Sequence, residues 1–87
     1  MSSIAVKENK EKDIVEALKK WVSDRNEGVA ADEVGIGTDL IDTGLLDSLQ
    51  FVSFMLLIEE LRGNALKESE VDLGNFRTIE TILKVLF

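Results

Sequence analysis

The sequence predicts an all-α domain of three longer helices and one short one, on three observations. Apolar residues recur at helical spacing in three separate windows. Two of those windows open on strong capping residues, Asp47 and Thr78. No stretch alternates polar and apolar residues as a half-buried strand would. With 87 residues the chain is expected to form one domain, residues 1–87, around a small core, with residues 1–6 disordered.

The first window predicts an amphipathic helix from Lys7 to about Arg25. Ile14, Val15, Leu18, Trp21 and Val22 form its stripe, with Trp21 read as a core residue. Residues 26–46 contain Gly28, Gly35, Gly37 and Gly44 and keep no period, so they read as a long loop. Its apolar residues, Val34, Ile36, Leu40, Ile41, Leu45 and Leu46, are expected to anchor it to the helices. The second helix should run from Ser48 to about Arg62: Asp47 is a favoured N-cap, Gln50 can complete a capping box, Leu46 and Phe51 stand at staple positions, and Gly63-Asn64 is a stop signal. Phe51, Val52, Phe54, Met55, Ile58 and Leu61 are expected to face inward, and Gln50, Ser53, Leu57 and Glu60 outward, with Leu56 on a shoulder. A short helical turn around Glu70 to Asn75, pinned by Val71 and Phe76, should precede a last helix capped by Thr78 with Ile79, Ile82, Leu83 and Leu86 buried.

Composition narrows function. The chain has no cysteine and no histidine. It therefore lacks disulfides, thiolate metal sites, a cysteine nucleophile and the commonest general base, and reads as a protein that is acted upon rather than an enzyme. The net charge of −7 is uneven: residues 1–25 hold six Lys/Arg against five Asp/Glu, and residues 26–87 hold four against twelve. So acidic a surface disfavours nucleic acid and anionic membranes, and either suits basic protein partners or simply keeps the chain soluble. The longest apolar cluster, Phe51 to Ile58, is too short to span a bilayer, and the first residues lack a secretory pattern, so a cytoplasmic location is expected.

The N-cap at Asp47 places the Ser48 hydroxyl at the first helical position, beside backbone N–H groups with no intrahelical partner. A phosphodiester there would meet the positive end of the helix dipole. The surrounding string, Asp42-Thr43-Gly44-Leu45-Leu46-Asp47-Ser48-Leu49, resembles the modification signature of acyl, aryl and peptidyl carrier proteins. In that family an Asp-Ser-Leu core at the start of the second helix follows a glycine and an apolar pair. Glu59-Glu60 near the end of that helix, and Val71 followed by Asn75-Phe76-Arg77-Thr78-Ile79, extend the resemblance over most of residues 10–87. The resemblance implies a four-helix bundle of acyl-carrier type with a long first loop. It also implies that a phosphopantetheinyl transferase attaches 4′-phosphopantetheine from coenzyme A to Ser48, and that the arm's thiol carries an acyl or aminoacyl group as a thioester. A loading ligase or acyltransferase and a downstream synthase or transferase are the implied partners, and a monomer is expected. Gly44, Asp47 and Leu49 flank the site, with Leu49 offered as apolar contact.

One departure concerns the second helix, where fatty-acid carriers usually display many carboxylates. Here Gln50 through Leu57 precede the acidic pair, so the resemblance is closer to carriers of amino or aryl acids, or of specialised metabolism. Partner contact is expected at Leu49, Leu56 and Leu57, steered by Glu59 and Glu60. The competing reading is an acidic helical adaptor that docks a partner helix without a prosthetic group. A calcium site around Asp39, Asp42 and Asp47 fails the spacing of an EF-hand loop.

Overall fold

The computed structural model describes the backbone of residues 3–87 and the side chains of residues 11–87. It contains three α-helices, α1 (Ser3–Asp24), α2 (Ser48–Arg62) and α3 (Ile79–Leu86), and no strand among the described residues. The chain divides into two compact units, residues 1–35 and 36–87. No described helix is long and apolar enough to cross a membrane.

In the first unit, α1 begins four residues before the expected Lys7. Of the six residues expected to be disordered, Met1 and Ser2 lie outside the described residues, and the α1 backbone includes 3–6. Ile14, Leu18 and Val22 are buried, as the helical period requires, together with Val34 from the segment that follows. Trp21, expected in the core, is only half-buried, with the Arg25 guanidinium 3.7 Å from its ring centroid in a cation–π contact. Asn26 Nδ2 donates to the Val22 carbonyl at 2.8 Å just past the helix end, and a left-handed Gly28 turns the chain where the Val29 N–H meets the Asn26 carbonyl. A 3₁₀ turn at Ala31–Glu33 follows, with the Glu33 carboxylate accepting the Ala30 N–H.

The second unit holds α2, α3 and the segments around them. Leu40, Leu46, Phe54, Ile58, Phe76, Ile79, Ile82 and Leu86 are its buried apolar residues. The short fourth helix expected at Glu70 to Asn75 is instead two 3₁₀ turns, Glu68–Glu70 and Leu73–Phe76, joined by Val71 and Asp72. The physical reason is local. Asp72 accepts the Gly74 N–H two residues on, and a four-residue turn containing glycine and asparagine cannot sustain an i→i−4 ladder. Val71 is exposed rather than pinned. The segment is held by Phe76, by Asn75 Nδ2 donating to the Glu70 carbonyl, and by two bonds from the Arg62 guanidinium to the Glu70 carboxylate at 3.1 and 3.2 Å. Ile36 is likewise exposed; its carbonyl, not its side chain, is the anchor, accepting the Glu80 N–H from the first turn of α3. Thr78 caps α3 by accepting the Thr81 N–H at 3.1 Å, and Leu83 is half-buried beside the three buried residues of that face.

Candidate functional site

The start of α2 is built by its cap. Asp47 has extended backbone angles, and its Oδ1 accepts the Gln50 N–H at 2.8 Å. This leaves the Ser48 and Leu49 N–H groups without an intrahelical acceptor at the positive end of a 15-residue helix. Ser48 itself is exposed. At the other end, Gly63 adopts φ +83° and its N–H reaches the Glu59 carbonyl, so both boundaries of α2 agree with the sequence reading.

The loop before the cap is closed on itself. The Leu46 N–H donates to the Leu40 carbonyl at 2.8 Å, Thr43 bonds the Asp39 carbonyl through its N–H and its hydroxyl, and Gly44 turns the chain at φ +77°. That angle explains the glycine of the motif, since no Cβ contact lies within 4 Å and only the left-handed backbone demands it. Asp39 Oδ1 accepts the N–H groups of Ile41 and Asp42, and its Oδ2 accepts from Arg77 Nη1 at 2.9 Å. The Asp42 N–H foremost, then Arg77 and the Ile41 N–H, hold the Asp39 carboxyl below its ordinary range despite partial desolvation. Of the acidic residues weighed for calcium, Asp39 and Asp47 thus point their carboxylates at backbone N–H groups.

Beside Ser48 lies an open concavity of about 330 Å³, lined by Ile41, Leu46, Asp47, Ser48, Phe51 and Leu73. The staple residues Leu46 and Phe51 both face it. Phe51 is braced from behind by Phe76, with ring centroids 4.9 Å apart at 79°, an edge-to-face pair. Leu73 went unremarked in the sequence because it stands in a turn with no periodic signal.

The outward face of α2 differs from expectation in three residues. Val52, expected inward, is 57% exposed, and Gln50 and Leu57, expected outward, are half-buried. Phe54 and Ile58 are the buried pair that set the phase. Val52 precedes Phe54 by two residues, roughly 200° round the helix, whereas Leu57 follows it by three and returns to within about 60°. The exposed apolar residues are therefore Leu49 at 88%, Val52, and Leu56 at 60%, spaced i, i+3, i+7 on one face. Glu60 is exposed and follows Leu56 by one turn, while Glu59 is half-buried with its Oε2 accepting the Leu66 N–H at 2.8 Å. Of the five expected contact residues, Leu49, Leu56 and Glu60 are exposed on this face; Glu59, three residues after Leu56, lies at its edge but is half-buried with its carboxylate engaged, and Leu57 turns away from it.

Comparison with protein-family models, curated proteins and solved structures finds no match to this chain.

Proposed function

We propose that this chain is a non-catalytic acyl or aminoacyl carrier of the acyl-carrier type, with 4′-phosphopantetheine attached to Ser48. The observation that carries the reading is the exposed hydroxyl at the first position of α2, inside the string Asp42 to Leu49 and beside an apolar concavity. The residues present suit such a group. The Ser48 and Leu49 N–H groups at the start of α2 would be available to a phosphodiester on Ser48, and the concavity lined by Ile41, Phe51 and Leu73 would offer apolar surface to the arm. When bound, the arm supplies the thiol for thioester chemistry, which a chain without cysteine cannot supply itself. Asp47 holds the helix start, and Gly44 permits the turn that delivers it.

The transferase, a loading ligase or acyltransferase and a downstream synthase or transferase would act in turn on a cytoplasmic monomer. Their docking would use Leu49, Val52 and Leu56, with Glu60 steering basic partners. The same apolar face also favours the second reading, an acidic adaptor without a prosthetic group. Incubation with coenzyme A, magnesium and a broad-specificity phosphopantetheinyl transferase, followed by intact mass, separates the two. A carrier gains one phosphopantetheine group, and an adaptor keeps its mass.

A further inference from the structure

We propose that Arg77 is a positioning residue for Ser48, a role that rests on the carrier reading. Its side chain and its backbone both grip the loop that delivers Ser48. Arg77 Nη1 donates to Asp39 Oδ2 at 2.9 Å and lies 3.5 Å from Asp42 Oδ1. The Arg77 carbonyl accepts the Leu40 N–H at 2.7 Å. One residue, 38 positions from Asp39 in the chain, thus holds two consecutive loop residues.

The hold passes to Ser48 in short steps. Leu40 is fixed by the Arg77 carbonyl, and the Leu40 carbonyl in turn accepts the Leu46 N–H. The buried side chains of Leu40 and Leu46 lock that closure, and only Asp47 separates Leu46 from Ser48. Arg77 also directly precedes Thr78, the cap of α3, so its backbone is set by that helix start. Arg77 and Asp42 are exposed, with side-chain exposures of 45% and 74%, and Asp39 is partly exposed at 32%. Exposed pairs of this kind add little to global stability. Their effect is local: they populate the loop conformation from which α2 begins. A transferase that binds only that conformation meets an apparent affinity reduced by the fraction in which the loop is open.

The test uses the full chain as wild type, Arg77→Gln and Arg77→Lys. Three quantities are measured: amide exchange at Thr43, Gly44 and Leu46, the thermal midpoint, and KM and kcat for modification of Ser48 by a transferase with coenzyme A. Arg77→Gln should raise exchange at Thr43 and Leu46 by about twofold to fivefold, the equivalent of one exposed ion pair, and raise KM by a smaller factor, because KM follows the closed fraction and not the open-to-closed ratio. Amides of α3, the midpoint and kcat should stay near wild type, and Arg77→Lys should recover most of the loss. Added salt should move wild-type exchange toward that of Arg77→Gln. Wild-type KM and exchange in Arg77→Gln would overturn the assignment. So would a lowered midpoint with exchange raised evenly through α2 and α3, which marks a merely structural residue. A wild-type chain that gains no mass overturns the carrier reading itself, and the role of Arg77 with it.

Discussion

Removing the α2 cap tests the geometry on which Ser48 depends. Asp47 contributes in two separable ways: Oδ1 accepts the Gln50 N–H at 2.8 Å, and its charge sits at the positive end of α2. Replacing a capping Asp by Ala costs about 1 kcal/mol, within a range of about 0.5–2. The exposed setting of Asp47 lets water replace part of the lost bond, which argues for the middle of that range. In a domain this small, about 1 kcal/mol moves the thermal midpoint by about 4–8 °C. Asp47→Asn keeps an acceptor but loses the charge, a charge–dipole effect of about 0.3–1 kcal/mol at low ionic strength. Thermal melts followed by far-UV circular dichroism at pH 7 should therefore rank wild type above Asp47→Asn and Asp47→Asn above Asp47→Ala. Modification of Ser48 should slow in the same order. An Asp47→Ala chain melting within about 1 °C of wild type would refute the cap as the element that fixes the start of α2.

Two further outcomes follow from the same geometry. Leu56→Glu should leave the midpoint nearly unchanged and reduce transfer to or from a cognate partner without rescue by salt, whereas Leu57→Glu, at a half-buried position, should lower the midpoint; equal melting of the two variants would show that the α2 phase is wrong. Asp39 and Glu70 both titrate below their ordinary values, Glu70 chiefly because the Lys67 N–H and then Arg62 bond its carboxylate. The unfolded chain then binds more protons at these sites, so their stabilisation is complete above the ordinary carboxylate range, near about pH 4, and is lost as pH falls through the depressed folded values. An Asp39→Asn, Glu70→Gln chain should show a flatter decline of midpoint on acidification from about pH 5, and an unchanged slope would contradict the assignment.

What the sequence made legible was governed by short-range chemistry. Asp47, Leu46 and Gly63 mark α2 because caps and stops act within a turn of the residues that make them, whereas Gln50, expected to complete a capping box through its side chain, meets Asp47 through its backbone N–H. Thr78 marks α3 for the same reason. The phase of α2 was less legible because Phe51 to Ile58 is apolar at every position but Ser53, so a period cannot choose among candidate faces. Burial of Phe54 and Ile58 makes that choice through packing. The two 3₁₀ turns read as one short helix because Asp72 and Gly74 reveal a turn but not its pitch. The bond from Arg77 to Asp39 was invisible, since nothing local links residues 38 apart. At the candidate site, Ser48, Asp47 and Gly44 stand out in the sequence through the motif, whereas Leu73 and the contact of Phe51 with Phe76 needed the fold.

The proposed carrier role requires Ser48 alone to receive the arm. Wild type and Ser48→Ala should be incubated side by side with coenzyme A, magnesium and a phosphopantetheinyl transferase, then measured intact and after proteolysis with fragment sequencing by mass. Ser48→Ala should retain the wild-type fold, because the cap is supplied by Asp47. Wild type is predicted to gain a single phosphopantetheine group located on Ser48, with Ser48→Ala gaining none. A wild-type chain that stays unmodified, or a Ser48→Ala chain that still gains the group on another residue, would contradict it.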